Sequence, residues 1–343
     1  MEFGKEQTNI TKGVAICLMF AHHLYAFEDR LINGNTYIPL IPFFNIEHRV
    51  GQFGNICVSI FLFLSGYGMF IGYFKSGKTP LIYSLKKLKS FYLTYWLYFL
   101  IFTPIGIKYF QKVTLLHSNQ SRYLLTPKIF LANFIGWSST YNEEWWFIRV
   151  FVIILLFLFP SYIFLIKNNT LLACFISLFL YLLSIKIHVN VYESLGFVYW
   201  QISFLTGMIC AKFKFFSSHS IQDFDKFGLI GIFAGLTACF LIRKNTDYDF
   251  LLVPFLIYFS CRAIEIMNLS KSISLIGNYS FPMWLIHSFF CYYYFQDIIY
   301  FPKYSVLVFI LLLAISFLST LIIEYLYFHI LRLTISMHSS KAK

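Results

Sequence analysis

The stretch TKGVAICLMFAHHLYAF, Thr11 to Phe27, is apolar enough to cross a bilayer, yet it carries a cation at its start and two imidazoles, His22 and His23, near its far end. Polar groups at membrane depth are costly, so by default they mark a function. Lys12 and His23 lie eleven residues apart, about three helical turns at ~3.6 residues per turn. They therefore share one helix face, roughly 16 Å apart along the axis, with His22 turned about 80° away. One face presents a positive charge low in the membrane and a candidate base high in it.

The rest of the chain is of the same kind. Its 343 residues are 59% hydrophobic and only 12% charged, with mean hydropathy +0.69. That balance excludes a soluble domain and implies an all-α, polytopic integral membrane helix bundle. The net charge of +12 is then a topology signal, and no nucleic-acid partner is implied. The seven cysteines lie in apolar segments without a CxxC pair, so they read as small hydrophobes, with no disulfide or metal site expected. No small-residue cleavage site follows the first apolar run, which therefore reads as a retained helix. No segment is long and polar enough for a soluble unit, so residues 1–343 are expected to form a single transmembrane domain.

At one span per ~20 apolar residues, about ten transmembrane helices are expected. They fall near 10–28, 53–74, 90–110, 144–166, 171–187, 195–213, 226–242, 249–268, 276–296 and 304–330. With the N-terminus inside, the cytoplasmic side holds more of the Lys and Arg residues than the outer side. A multi-pass protein of the cell membrane with both termini cytoplasmic follows. Two outer loops, 29–52 and 111–143, are long, as binding loops and lids are. The second contains an apolar piece, Phe130 to Trp137, too short to span and suited to the interface or to dipping back toward the core.

Further polar groups recur along the spans. SIFLFLSGY, Ser59 to Tyr67, interrupts an aromatic run with Ser65 and Gly66, which suit close helix approach. Lys86, Lys87 and Lys89 cluster just before the third span. They suit the phosphates of a nucleotide or coenzyme, and equally anionic lipid or topology. NEEWWFIRVF, Asn142 to Phe151, sets Arg149 inside a span, where it needs a partner, with Glu143 and Glu144 at the rim. Trp145 and Trp146 fit an interfacial aromatic belt. SLIGNYSFPMWLIHSFF, Ser274 to Phe290, brings Ser280 and His287 into the ninth span. Glu324, in the last span, is a remaining intramembrane acid that could pair with Arg149 or His287.

Together these motifs resemble the membrane-bound acyltransferase 3 family, which O-acylates sugars and other extracytoplasmic molecules. Lys12 and His23 match its first-helix spacing of a cation, ten residues, then His. Phe61 to Tyr67 is similar to its Phe-rich run ending in Ser-Gly-Phe. The Lys86–Lys89 run, the Trp146-Phe147-Ile148 step before Pro160, and Gly277, Ser280, Trp284, Leu285 and His287 match its later signatures. Ser90 and Leu93 depart from it, standing where many members have Arg and Pro.

The resemblance implies transfer of an acyl group, most simply acetyl from cytoplasmic acetyl-CoA as co-substrate, to a hydroxyl of an extracytoplasmic polysaccharide or other cell-surface glycan. His23 would be the general base, with His22 its less aligned neighbour. Lys12, Lys86, Lys87 and Lys89 would bind the acyl-CoA donor, and Ser65, Arg149 and His287 would stabilise the oxyanion or position substrate. Trp146, Ser280 and Glu324 are further candidates. No permanently bound cofactor is implied. The partners are the acyl-CoA donor, the glycan acceptor and the lipid bilayer, and a homo-oligomer is compatible with the sequence. A transporter or flippase for a lipid-linked sugar would also use intramembrane Arg, Glu and His, but would usually leave paired internal repeats, and none is visible. A catalytically silent assembly subunit is a third alternative.

Overall fold

A helix that carries Lys12, His22 and His23 can persist in a bilayer only if other helices cover its polar face. The first helix, α1 (Lys5–Tyr25), meets this requirement: most of its residues, including Asn9, Thr11, His22 and His23, are buried inside the bundle. The computed structural model describes the chain apart from residues 117, 244, 245, 342 and 343, and apart from the side chains of 331 and 333–341. Among the described residues it is helical with no strand.

After α1 and a long loop come α2 (Ile46–Gly54) and α3 (Cys57–Phe74), which run nearly end to end. The fourth helix, α4 (Pro80–Tyr109), begins at a proline, whose fixed φ and missing N–H suit a first turn. It starts ten residues before the expected span, so Lys86, Lys87 and Lys89 belong to the helix and do not precede it. The short α5 (Pro127–Phe134) starts at Thr126, whose hydroxyl accepts from the Ile129 N–H at 3.2 Å. It packs on α4: Tyr95 and Trp96 donate to the carbonyls of Asn133 and Phe134 at 2.6 and 2.9 Å. The apolar piece in the second long loop is therefore a helix lying against the bundle.

The next crossing is built from α6 (Trp146–Ile153), a π turn and α7 (Phe159–Asn168). Asn169 then caps α8 (Thr170–Lys186), accepting from the Leu172 N–H at 3.1 Å. The chain continues through α9 (Gly196–Lys212), the single turn α10 (His219–Gln222), α11 (Gly228–Ile242) and α12 (Asp249–Ile266). The ninth expected span is broken at Tyr279 into α13 (Ser270–Asn278) and α14 (Ser280–Ser288), and a π turn, Phe289–Tyr293, follows. The short α15 (Gln296–Tyr300) leads into α16 (Ser305–Lys341).

Among the described residues, five helices are long and apolar enough by themselves to cross a membrane: Ile46–Phe74, Pro80–Tyr109, Glu143–Asn168, His219–Ile242 and Ser305–Ile330. The other expected spans correspond to helices that are shorter, more polar or broken. This division has a physical cause. In the apolar 18-residue core of Ser305–Ile330 only 22% of residues are buried, and in that of His219–Ile242 only 11%, so these helices can face lipid. The polar α1 and the short α9 are mostly buried, so their neighbours satisfy their polar groups.

Glycines let the inner helices approach closely. A Cβ at Gly66 of α3 would strike the Phe204 carbonyl of α9, and one at Gly207 of α9 would strike the Phe63 carbonyl of α3. Ser59 and Ser203 hydrogen-bond across the same seam at 3.2 Å. Gly13 and Gly277 make the matching pair between α1 and α13, against the carbonyls of Ile273 and Asn9. Replacing Gly277 with Leu should therefore push α13 off α1. Overpacking costs about 1–3 kcal/mol, read as a lower unfolding midpoint in detergent. Substitution of Gly68, where a Cβ meets nothing, should leave the midpoint within error.

Candidate active site

The bundle encloses a cavity of about 820 Å³ between α1, α3, α6, α13, α14 and the loops that cap one end. Lys12, His22 and His23 all line it. The shared face expected for Lys12 and His23 thus opens into one space, and His22 reaches the same space from the neighbouring position.

His23 sits in a network built by three other segments. Its Nε2 lies 3.4 Å from Glu144 Oε2, and both side chains are almost wholly buried. The other Glu144 oxygen accepts from Arg30 at 2.8 Å. Arg30 in turn lies over the Phe27 ring at 4.4 Å and the Tyr292 ring at 5.0 Å. On the far side of the imidazole, Nδ1 is 3.3 Å from the Tyr292 hydroxyl, which donates to the His23 carbonyl at 2.5 Å. The π turn after α14 carries Tyr292 and aims it at α1; such turns often occur at functional sites.

Both ring nitrogens of His23 thus face an oxygen. The Tyr292 proton is used by the His23 carbonyl, so the Tyr292 oxygen can accept a proton carried on Nδ1. Nε2 faces the Glu144 carboxylate. A proton arriving at Nε2 would be held by Glu144, whose charge Arg30 balances. The arrangement is suited to taking up a proton from a substrate and returning it.

His22 and His287 are held differently. His22 Nδ1 donates to the Gly51 carbonyl at 2.8 Å, and His287 Nδ1 to the Trp284 carbonyl at 2.7 Å. The His287 ring stacks on Phe20 and lies 4.9 Å from the His23 ring, centroid to centroid. His287 is fully buried behind His23 and is not on the cavity wall.

Ser65, Trp146, Arg149 and Ser280 do line the cavity. The Ser65 hydroxyl donates to the Phe61 carbonyl in its own helix at 2.8 Å. Arg149 donates to the carbonyls of Trp137 and Tyr192 at 2.8 and 2.9 Å, and its ion-pair partner is Glu193 at 3.3 Å. It therefore ties two rim loops together, and its partner is not Glu324. Glu324 lies on α16, on the side near Tyr98 of α4.

Lys12 has no hydrogen-bond or ion-pair partner among the described residues. Lys5 and, more weakly, Lys87 lie close enough for their charges to be felt at Lys12. Lys86, Lys87 and Lys89 are not on the cavity wall. Lys89 instead borders a separate apolar groove with Tyr92, Trp96 and Leu156.

Reading the chain alone missed the pairing of His23 with Glu144 and the part played by Arg30. A signal was present: Glu144 stands at the start of one span and His23 at the end of another, so both fall at the same membrane face. Trp145, which suits an interfacial belt, is instead buried and donates to the Leu285 carbonyl at 3.1 Å.

A family model of the acyltransferase-3 type, described as an acyltransferase domain, matches residues 7–329, nearly the whole chain. No curated protein and no solved structure matches it.

Arg149→Ala should loosen the rim by removing both carbonyl bonds and the Glu193 pair. Hydrogen exchange read by mass spectrometry should rise severalfold in residues 136–139 and 190–193 and stay unchanged across α1. Unchanged exchange at the rim would show that Arg149 does not hold it.

Proposed function

The chain belongs to the acyltransferase-3 family and is a multi-pass membrane acyltransferase; from that premise we propose that it moves an acetyl group from cytoplasmic acetyl-CoA to a hydroxyl of an extracytoplasmic polysaccharide or other cell-surface glycan. The observation that carries this reading is one cavity with a lysine that is unpaired among the described residues and a carboxylate-backed histidine both on its walls.

In this reading the Lys12 end faces the cytosol of a cell whose membrane holds both chain termini inside. Coenzyme A is a polyanion, and Lys12, with Lys87 behind it, attracts its phosphates while the thioester arm extends toward His23. The acceptor enters from the opposite face. Its hydroxyl gives its proton to His23 Nε2 as its oxygen bonds to the thioester carbonyl carbon. Glu144, itself held in place by Arg30, stabilises the resulting imidazolium. The tetrahedral oxyanion collapses, the carbon–sulfur bond breaks, and the thiolate leaves with the proton returned by Nε2. The products are an ester and free coenzyme A, so no residue is consumed. Donors to the oxyanion strengthen this step; Ser280 is a hydroxyl on the cavity wall that suits it, whereas Ser65 gives its proton to the Phe61 carbonyl, and His287 supports the His23 ring from behind.

The direct test is mass spectrometry of surface glycans from cells with and without the gene, where loss of one acetyl mass step is expected. His23→Ala should abolish acetylation while the protein still inserts, and His22→Ala should be milder. Equal loss from both, or loss from neither, contradicts the assignment. Glu144→Gln should lower kcat by about 10²-fold, the scale of assisted proton transfer, with little change in KM for the donor. Lys12→Ala should raise the donor KM by about tenfold, or about 1.4 kcal/mol, and Lys12→Arg by less. An unchanged donor KM would remove Lys12 from donor binding.

A further inference from the structure

The walls of the cavity differ in how their charges are paired. Near His23, three carboxylates and two guanidiniums line it: Glu143, Glu144 and Glu193 against Arg30 and Arg149. Both guanidiniums already have partners, Arg30 with Glu144 and Arg149 with Glu193. Glu143 is paired from outside the wall by Arg122 at 2.7 Å. No cation on this part of the wall is left over for an anionic substrate. Lys12, by contrast, is unpaired among the described residues.

The same rim carries an aromatic corner. The rings of Trp146 and Tyr192 meet edge to face, 5.1 Å between centroids and 86° between planes. Trp200 braces Trp146 from behind at 5.9 Å. Tyr192 is half exposed and its backbone is fixed: its carbonyl accepts from Arg149, and its N–H donates to Asn190 Oδ1 at 3.1 Å. That bond leaves the Asn190 amide nitrogen without a partner among the described residues. Glu193 uses one oxygen on Arg149 and keeps the other free, on a side chain that is 63% exposed.

We propose that this rim is a subsite for a neutral carbohydrate ring, which lies against Tyr192 and Trp146 while Glu193 and Asn190 bind its hydroxyls. The proposal rests on the acyl-transfer reading for the presence of an acceptor, and goes beyond it in naming the residues and the charge class. The C–H face of a pyranose is apolar with a slight positive polarisation, and it complements the negative face of an aromatic ring. Its hydroxyls require both an acceptor and a donor nearby, which the free Glu193 oxygen and the Asn190 amide supply. A uronic or phosphorylated sugar would find every guanidinium on this wall already paired and the free Glu193 oxygen beside it, so its charge would be desolvated without a partner and the wall discriminates against it.

The test uses the purified full chain in detergent with no acyl donor. Saturation-transfer NMR is recorded against neutral oligosaccharides of glucose, galactose, mannose and N-acetylglucosamine, and against the corresponding uronic acids. At least one neutral sugar should bind, with transfer strongest at its ring C–H protons, and its uronic counterpart should bind at least tenfold more weakly. Tyr192→Ala should weaken the neutral sugar about tenfold, Tyr192→Phe should retain it, and Glu193→Gln should weaken it severalfold. Tyr192 is exposed enough for these variants to fold, which the unfolding midpoint checks. Binding by no neutral member, equal binding of the uronates, or full binding by Tyr192→Ala would overturn the proposal. With the donor absent the readout is blind to acyl transfer, so failure here and failure of the acyltransferase reading are separate results.

Discussion

Lipid offers no hydrogen bonds, so a helix carrying a lysine and two histidines must turn them toward protein partners or a polar cavity and away from lipid. That requirement puts α1 inside the bundle. It also accounts for the glycines that face it: Gly13 and Gly277 bring α13 against one end, and Gly54 brings α2 against Leu18 and His22. The apolar α11 and α16 have no such need and sit outside.

The same constraint shapes the chemistry. His23 is buried, yet its Nε2 is directed to Glu144 by a tyrosine on one side and by the course of the chain on the other. The carboxylate is tolerated because Arg30 reaches it from the loop that follows α1. A buried ion pair of this kind is weak evidence for stability. Its value is positional: it sets a carboxylate beside Nε2 of the one histidine that shares the Lys12 face.

The rim shows a second use of buried polar bonds. Arg149 spends its hydrogen bonds on two loop carbonyls and one carboxylate. The loops around Trp137 and Tyr192 are thereby held against α6. A guanidinium that looked from the sequence like a group poised for substrate thus orders the mouth through which a substrate would pass. His287 is another such case, since its position in the ninth span suits a cavity wall but its ring lies behind that of His23.

The all-helical membrane fold, the shared face of Lys12 and His23, and the cavity-wall positions of Ser65, Trp146 and Ser280 were legible in the sequence. Hydropathy and helical spacing are local properties of the chain, so they survive folding. The partners of His23, the pairing of Arg149 with Glu193 and the separation of Lys86 and Lys89 from the cavity were not legible. Each depends on which helices become neighbours and how each is rotated. A carboxylate more than a hundred residues away becomes a partner only when helix packing brings it within a few ångströms, and one-dimensional spacing carries no record of that distance.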